Sequence, residues 1–312
     1  MNKIANRQVI CDKLIELAKN DKDIMVLACD SRGSASMGNF AKEYPEQFVE
    51  IGIAEQNAVG VAAGLATCGK KPYVASPACF LSMRSVEQVK VDVAYSKTNV
   101  KLIGISGGVS YGALGMTHHS LQDIAVMRAI PDIAVILPAD RFETEKMVEE
   151  LVNYNGPAYI RIGRNPVEDV YENENCNFEI GKGNIMCEGN DITIIATGET
   201  VKPAIDASKL LSAEGIGCRV INMHTIKPLD NDVIIKAAKE TKGIITVEEH
   251  SVFGGLGAAV SEVVSQENPV KMKIIGIKDE APITGNSKEV FNYYGLTATN
   301  LVIEAKKILG EK

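Results

Sequence analysis

Val49-Glu50-Ile51-Gly52-Ile53-Ala54-Glu55-Gln56-Asn57 reads as a short apolar strand that turns at a glycine and runs into a helix with a carboxylate in its first turn. The helix continues through Ala58-Val59-Gly60-Val61-Ala62-Ala63-Gly64-Leu65-Ala66, almost without bulk. Each glycine inside a helix costs about 1 kcal/mol relative to alanine, so the pattern predicts that another group approaches this backbone closely. A Glu in a first turn also suits the helix dipole, and small residues are common where a helix packs on a sheet. Working outward, the same step from strand to helix repeats. Apolar, β-rich runs at 24–28, 48–51, 72–76, 100–105, 133–137 and 158–162 alternate with helical patterns at 7–19, 54–67, 82–95, 121–130 and 139–153. Continuously apolar strands separated by helices predict an α/β fold, a mainly parallel sheet covered on both faces.

The rhythm breaks over 166–190, a stretch rich in Asn, Glu and Gly that reads as a linker with room for one hairpin. A second block follows, with strands at 192–196, 218–221, 244–247 and 272–277 and helices near 201–214, 231–240, 257–264 and 298–309. The expectation is two α/β domains, 1–165 and 191–312. With 312 residues, 46% of them hydrophobic, the chain can bury a core in each.

A formal net charge of -7 with no cluster of Lys and Arg argues against a nucleic-acid partner. No apolar run approaches the roughly 18 to 20 residues of a membrane span, and no basic leader precedes an apolar segment, so the expected location is cytoplasmic, with no membrane partner. Seven cysteines without a CxxC, and four histidines without ligand spacing, predict buried thiols in a reducing compartment and no zinc site.

Ligands of open α/β sheets bind beyond the carboxyl ends of the strands, and four such ends carry polar or glycine-rich sequence. They are Asp30-Ser31-Arg32-Gly33-Ser34; Glu55; Ser76-Pro77-Ala78-Cys79-Phe80, leading to Arg84, Glu87 and Gln88; and Ser106-Gly107-Gly108 through Tyr111-Gly112-Ala113-Leu114-Gly115-Met116-Thr117-His118-His119, ahead of Asp123 and Arg128.

Taken in order, Gly52-Ile53-Ala54-Glu55-Gln56, the Phe80 step, Thr117-His118 with Asp123 and Arg128, and Gly156-Pro157 with Arg161 and Arg164 resemble the transketolase family. The resemblance extends to Val247-Glu248-Glu249-His250 and Gly254-Gly255-Leu256-Gly257, and is to the C-terminal half of that enzyme encoded as a separate subunit. It implies thiamine diphosphate chemistry. Glu55 would hold the aminopyrimidine nitrogen so that the ring's amine serves as internal base, a task that needs a shielded carboxyl with a raised pKa; the small residues after it would let the ring come close. Phe80 would stack on the ring, with Asp30, Ile53 and Met83 also at the cofactor. Where the family often has further aromatics, this chain has Ala78 or Pro77, and Met83. His118 would donate to the substrate oxygen near the reacting carbon; His119 is equally explained as a packing histidine. Ser34 and Arg164 would hold the substrate phosphate, with Arg161 behind them.

Departures from the family pattern are as informative. The Gly-Asp-Gly that carries the family's Mg2+ and diphosphate site is absent, and Mg2+ needs oxygen ligands and diphosphate together. The resemblance therefore implies an N-terminal partner subunit, a shared active site and a heterotetramer. An acidic pair that reads a sugar hydroxyl in ordinary transketolases is replaced by Ala113 and Leu114, and a phosphate-positioning histidine by Ser106, which points to an anionic sugar other than the standard pentose phosphates, such as a branched sugar phosphate or a sulfonated sugar. Rival readings are the β subunit of a 2-oxoacid dehydrogenase, which shares fold and length, and a non-catalytic scaffold subunit. Gly254-Gly255-Leu256-Gly257 lacks the spacing of a nucleotide loop and is better explained by tight helix–sheet packing.

Overall fold

The computed structural model describes residues 4–172 and 176–310; residues 173–175 of the expected linker lie outside it. Six strands build the first sheet in the expected places: β1 (Ile24–Ala28), β2 (Phe48–Glu50), β3 (Lys71–Pro77), β4 (Lys101–Ile105), β5 (Ala134–Ile136) and β6 (Ala158–Arg161). All six run parallel, and most of their residues, such as Leu27, Val74, Leu102 and Ile105, are buried on one face or the other. Fully burying a Val, Leu or Ile stabilises by roughly 1.5 to 3 kcal/mol, which is why these runs carry no polar face.

The second sheet holds β7 (Asn184–Cys187), β8 (Ile192–Ala196), β9 (Cys218–Asn222), β11 (Gly243–Ser251) and β12 (Lys271–Ile277), with strand order β12-β11-β8-β9-β7. Among the described residues the expected linker hairpin does not form, and β7 pairs antiparallel with β9 instead. Between β9 and β11 the chain sends a short strand, β10 (Thr225–Lys227), back to the first sheet, where it pairs antiparallel with β5 and makes that sheet seven-stranded in the order β10-β5-β6-β4-β3-β1-β2. Three residues are too few to show a period-2 pattern in sequence.

The helix expected at 82–95 is broken into Ala78–Met83, Val86–Gln88 and a π-helical Val89–Tyr95. Helices Gly38–Glu43 and Ser287–Tyr294 were not legible in the sequence. In the helix Glu55–Thr67, Ala58, Val59, Ala62 and Ala63 face the core. A Cβ at Gly60 would touch only Asp92 Oδ2 at 4.0 Å, and one at Gly64 would meet nothing within 4 Å. The close approach expected at these glycines therefore does not occur inside this chain, because they point away from the sheet.

A buried ionic cluster joins the two sheets. Arg161, 6% exposed, lies 3.4 Å from Asp123 Oδ2 and 3.7 Å from Glu249 Oε2, and donates to the Glu249 carbonyl at 2.6 Å. Tyr159 OH donates to Asp123 at 2.7 Å, and Glu249 Oε1 accepts from Val109 N at 2.7 Å. Glu248 accepts from Leu256 N and Gly257 N at 2.7 and 2.8 Å, so the anion seated at the start of helix Leu256–Glu267 is the protein's own carboxylate. A Cβ at Gly255 would collide with that carboxylate, and one at Gly257 with Ile274 Cγ2 at 2.5 Å. Close packing thus accounts for Gly254-Gly255-Leu256-Gly257.

Candidate active site

At the carboxyl edge of the first sheet the ends of β1, β2, β3, β4 and β6 surround a cavity of about 430 Å³, within the usual size range of small-molecule sites. Asp30, Ser34, Ile53, Glu55, Phe80, Leu114, His118 and Arg164 all line it. Residues scattered over more than 130 positions of sequence are brought together because consecutive parallel strands all end on the same edge.

Glu55 sits at the cavity floor, only 4% exposed. Gly52, at φ +80°, makes the turn that a side-chain-bearing residue would resist, and so feeds β2 into the Glu55 helix. Ser76 Oγ lies 3.5 Å from Glu55 Oε1. The shield around Glu55 is not wholly apolar, however. Arg84 Nη1 donates to its two carboxylate oxygens at 3.3 and 3.1 Å, and the guanidinium stands 4.0 Å over the Phe80 ring centroid. A flat nitrogen-bearing group held by a carboxylate and stacked on an aromatic face is what this seat accepts, so the residues present fit the aminopyrimidine of thiamine diphosphate. The four-residue spacing of Phe80 and Arg84 on a helix was the signal for this contact.

His118 follows a short helical stretch, Gly112–Thr117. Its Nδ1 lies 2.9 Å from Thr117 Oγ1, and its ring is wedged edge-on between Phe80 and Tyr111, with centroids 5.3 and 5.2 Å away. With Nδ1 engaged, Nε2 is the nitrogen left for a ligand. His119 is buried, lies 3.2 Å from the Gly112 carbonyl through Nε2, and has its pKa lowered by burial; it packs the loop.

Arg164 closes the far side. Its guanidinium lies 5.1 Å from the Tyr111 ring, and among the described residues its buried Nη1 has no hydrogen-bond partner. Arg7, which sequence reasoning passed over as an ordinary helical residue, donates to the Arg164 carbonyl at 3.0 Å and to the Ser34 carbonyl. Burial, and then the charge of Arg164, lower the Arg7 pKa. Arg164, with no carboxylate partner among the described residues, offers the cavity a guanidinium for an anion, while Arg7, outside the cavity lining, spends two donors on backbone carbonyls and ties the Ser34 and Arg164 segments together.

Three expected residues fall elsewhere. Arg161 is taken up by the Asp123–Glu249 cluster. Ser106 is fully buried at φ +56° beneath the loop it begins. Met83 is 51% exposed outside the cavity lining. Leu114 is 52% exposed and presents an apolar surface where the family pattern has an acceptor. Among the described residues no group of three or more His, Cys, Asp or Glu side chains is placed to hold a metal ion, and no helix is long and apolar enough to cross a membrane.

Comparison with known proteins identifies the family. The transketolase pyrimidine-binding domain matches residues 2–168 and the transketolase C-terminal domain residues 181–301. An apulose-4-phosphate transketolase subunit of Phocaeicola vulgatus is 57% identical over 295 residues, 95% of this chain and 94% of that one. The 6-deoxy-6-sulfo-D-fructose transketolase subunit SqwH of a Clostridium species is 37% identical over 309 residues, 98% and 95% of the two chains. A solved structure described as a split gene transketolase, inactive beta4 tetramer, has a TM-score of 0.89 at 39% identity and covers 99% of both chains. With its two sheets, its strand-end cavity and these relatives, the chain belongs to the transketolase family.

Proposed function

We propose that this chain is one half of a thiamine diphosphate-dependent transketolase, which moves a two-carbon ketol unit from an anionic ketose to an aldose acceptor once an N-terminal partner chain supplies the diphosphate and Mg2+ site. The observation that carries this is the convergence of Glu55, Phe80, His118 and Arg164 on one cavity from four different strand ends. Bound thiamine diphosphate would supply the carbon nucleophile. Glu55 holds a proton at the ring nitrogen, Phe80 gives the ring a flat apolar face, and His118 donates to the substrate oxygen beside the bond being broken. Arg164, near Ser34, binds the substrate's anionic end and fixes its reach into the cavity, and Arg7 holds the Ser34 and Arg164 segments in place through their carbonyls.

The substrate class follows from the same residues. The Arg164 guanidinium binds a phosphate or a sulfonate, while Leu114 offers no acceptor to a sugar hydroxyl, a difference worth about 1 to 3 kcal/mol in discrimination. One relative is named for a phosphorylated sugar and another for a sulfonated one. A branched sugar phosphate or a sulfonated ketose is therefore the expected donor. The test is co-expression with the N-terminal chain, followed by a donor and acceptor screen with thiamine diphosphate and Mg2+. Glu55→Gln is expected to lower kcat by roughly 100-fold or more. Unchanged turnover in that variant would support the scaffold reading instead, and full activity confined to the standard pentose phosphates would refute the substrate assignment.

A further inference from the structure

Arg84 occupies both contacts that the cofactor ring requires. Its Nη1 reaches the two oxygens of Glu55 at 3.1 and 3.3 Å, and its planar guanidinium lies 4.0 Å over Phe80, inside the cavity lining. A ring stacked on that face of Phe80 while bonded to Glu55 would need the space that the guanidinium fills. We infer that Arg84 is an internal place-holder for the pyrimidine, seated on Glu55 and Phe80 in the chain without cofactor and displaced when the cofactor binds. This rests on the cofactor assignment made above.

The surroundings suit a residue that moves. Glu55 is 4% exposed and fixed, whereas the Arg84 side chain is 48% exposed. Arg84 caps the helix Ala78–Met83 just before Val86–Gln88 begins, so the movement asked of it is of the side chain alone. A place-holder has a clear physical use. Without one, Glu55 would be a nearly buried carboxylate with little compensation in the free chain, a costly arrangement; a guanidinium keeps the site folded until the ligand arrives.

The test is thiamine diphosphate binding, with Mg2+, to the complex of this chain with its N-terminal partner, measured by calorimetry and by stopped-flow fluorescence. A competing side chain reduces apparent affinity by the fraction of open sites, so a place-holder seated in nine of ten molecules weakens binding about tenfold. Arg84→Ala is accordingly expected to tighten Kd about tenfold, with the gain in the association rate and the dissociation rate unchanged. Arg84→Lys keeps a cation beside Glu55, and so protects the fold, but cannot stack as a plane; its Kd is expected between the other two. Arg84→Ala or Arg84→Lys complexes that bind no more tightly than wild type, or that lose the cofactor faster, would show Arg84 to be a fixed partner and overturn the inference. A wild-type complex that takes up no thiamine diphosphate would overturn the cofactor assignment itself.

Discussion

Replacing Arg161 by methionine separates a structural role from a substrate-binding one. The guanidinium is 6% exposed, stands 3.4 Å from Asp123 and 3.7 Å from Glu249, and donates to the Glu249 carbonyl, so it links the first sheet to the second. Arg161→Met keeps an unbranched apolar stem but leaves Asp123 and Glu249, 0 and 2% exposed, without their counter-charge. Removing one partner of a buried ion pair costs about 3 to 5 kcal/mol, a fall in Tm of roughly 10 °C for a chain of this size. The loss should also depend on pH. Burial raises the Glu249 pKa above the ordinary 4.5, the neighbouring Glu199 adds to the shift and Arg161 opposes it. A carboxyl whose folded pKa is raised favours the fold below its unfolded value, and that contribution is lost as pH climbs through the folded one. With the opposing charge gone, the deficit of the variant should be smaller near about pH 5 and widen towards about pH 9. Thermal unfolding followed by circular dichroism at both pH values measures it. A Tm equal to wild type, or a deficit that does not change with pH, refutes the reasoning; a raised KM with an unchanged Tm would return Arg161 to the substrate.

Arg164→Ala removes charge-assisted hydrogen bonds worth about 1.5 to 3 kcal/mol each, so KM for the anionic substrate should rise at least about tenfold with kcat less affected; steady-state kinetics decide, and Arg164→Lys should recover part of the loss. Leu114→Asp restores an acceptor at the cavity, and the ratio of kcat/KM between unbranched pentose phosphates and the native donor should shift by about 10-fold or more towards the former. An unchanged ratio in a donor screen would free Leu114 from any role in sugar discrimination.

The parallel sheets were readable because burial on both faces leaves an unmistakable mark: β1 and β8 are almost wholly apolar, and their expected limits coincide with the observed ones. Glu55, Phe80, His118 and Arg164, expected from the family resemblance, lie in segments that follow strand ends and so meet at one cavity. What escaped depended on contacts across long stretches of chain. Arg7 looks like any residue of an amphipathic helix until the fold sets it against Ser34 and Arg164. Arg161 looked like a ligand-binding arginine at a strand end, and only the second sheet's Glu249 shows where its charge is spent. Gly60 and Gly64 signalled close approach, but sequence does not say on which side of a helix the visitor lies.

The return of the chain from the second sheet to β5 bears on how the polypeptide is made. β5 is three residues long and rests on β6 along one side; its other side stays bare until Thr225–Lys227 arrives, after β8 and β9 have already been synthesised. An open strand edge invites association with any other unpaired strand nearby. Nascent chains on the ribosome therefore carry an adhesive border until well into their second half. A fragment cut between the two sheets would keep that border for its lifetime, so the two lobes, separate as they look, form one unit of synthesis.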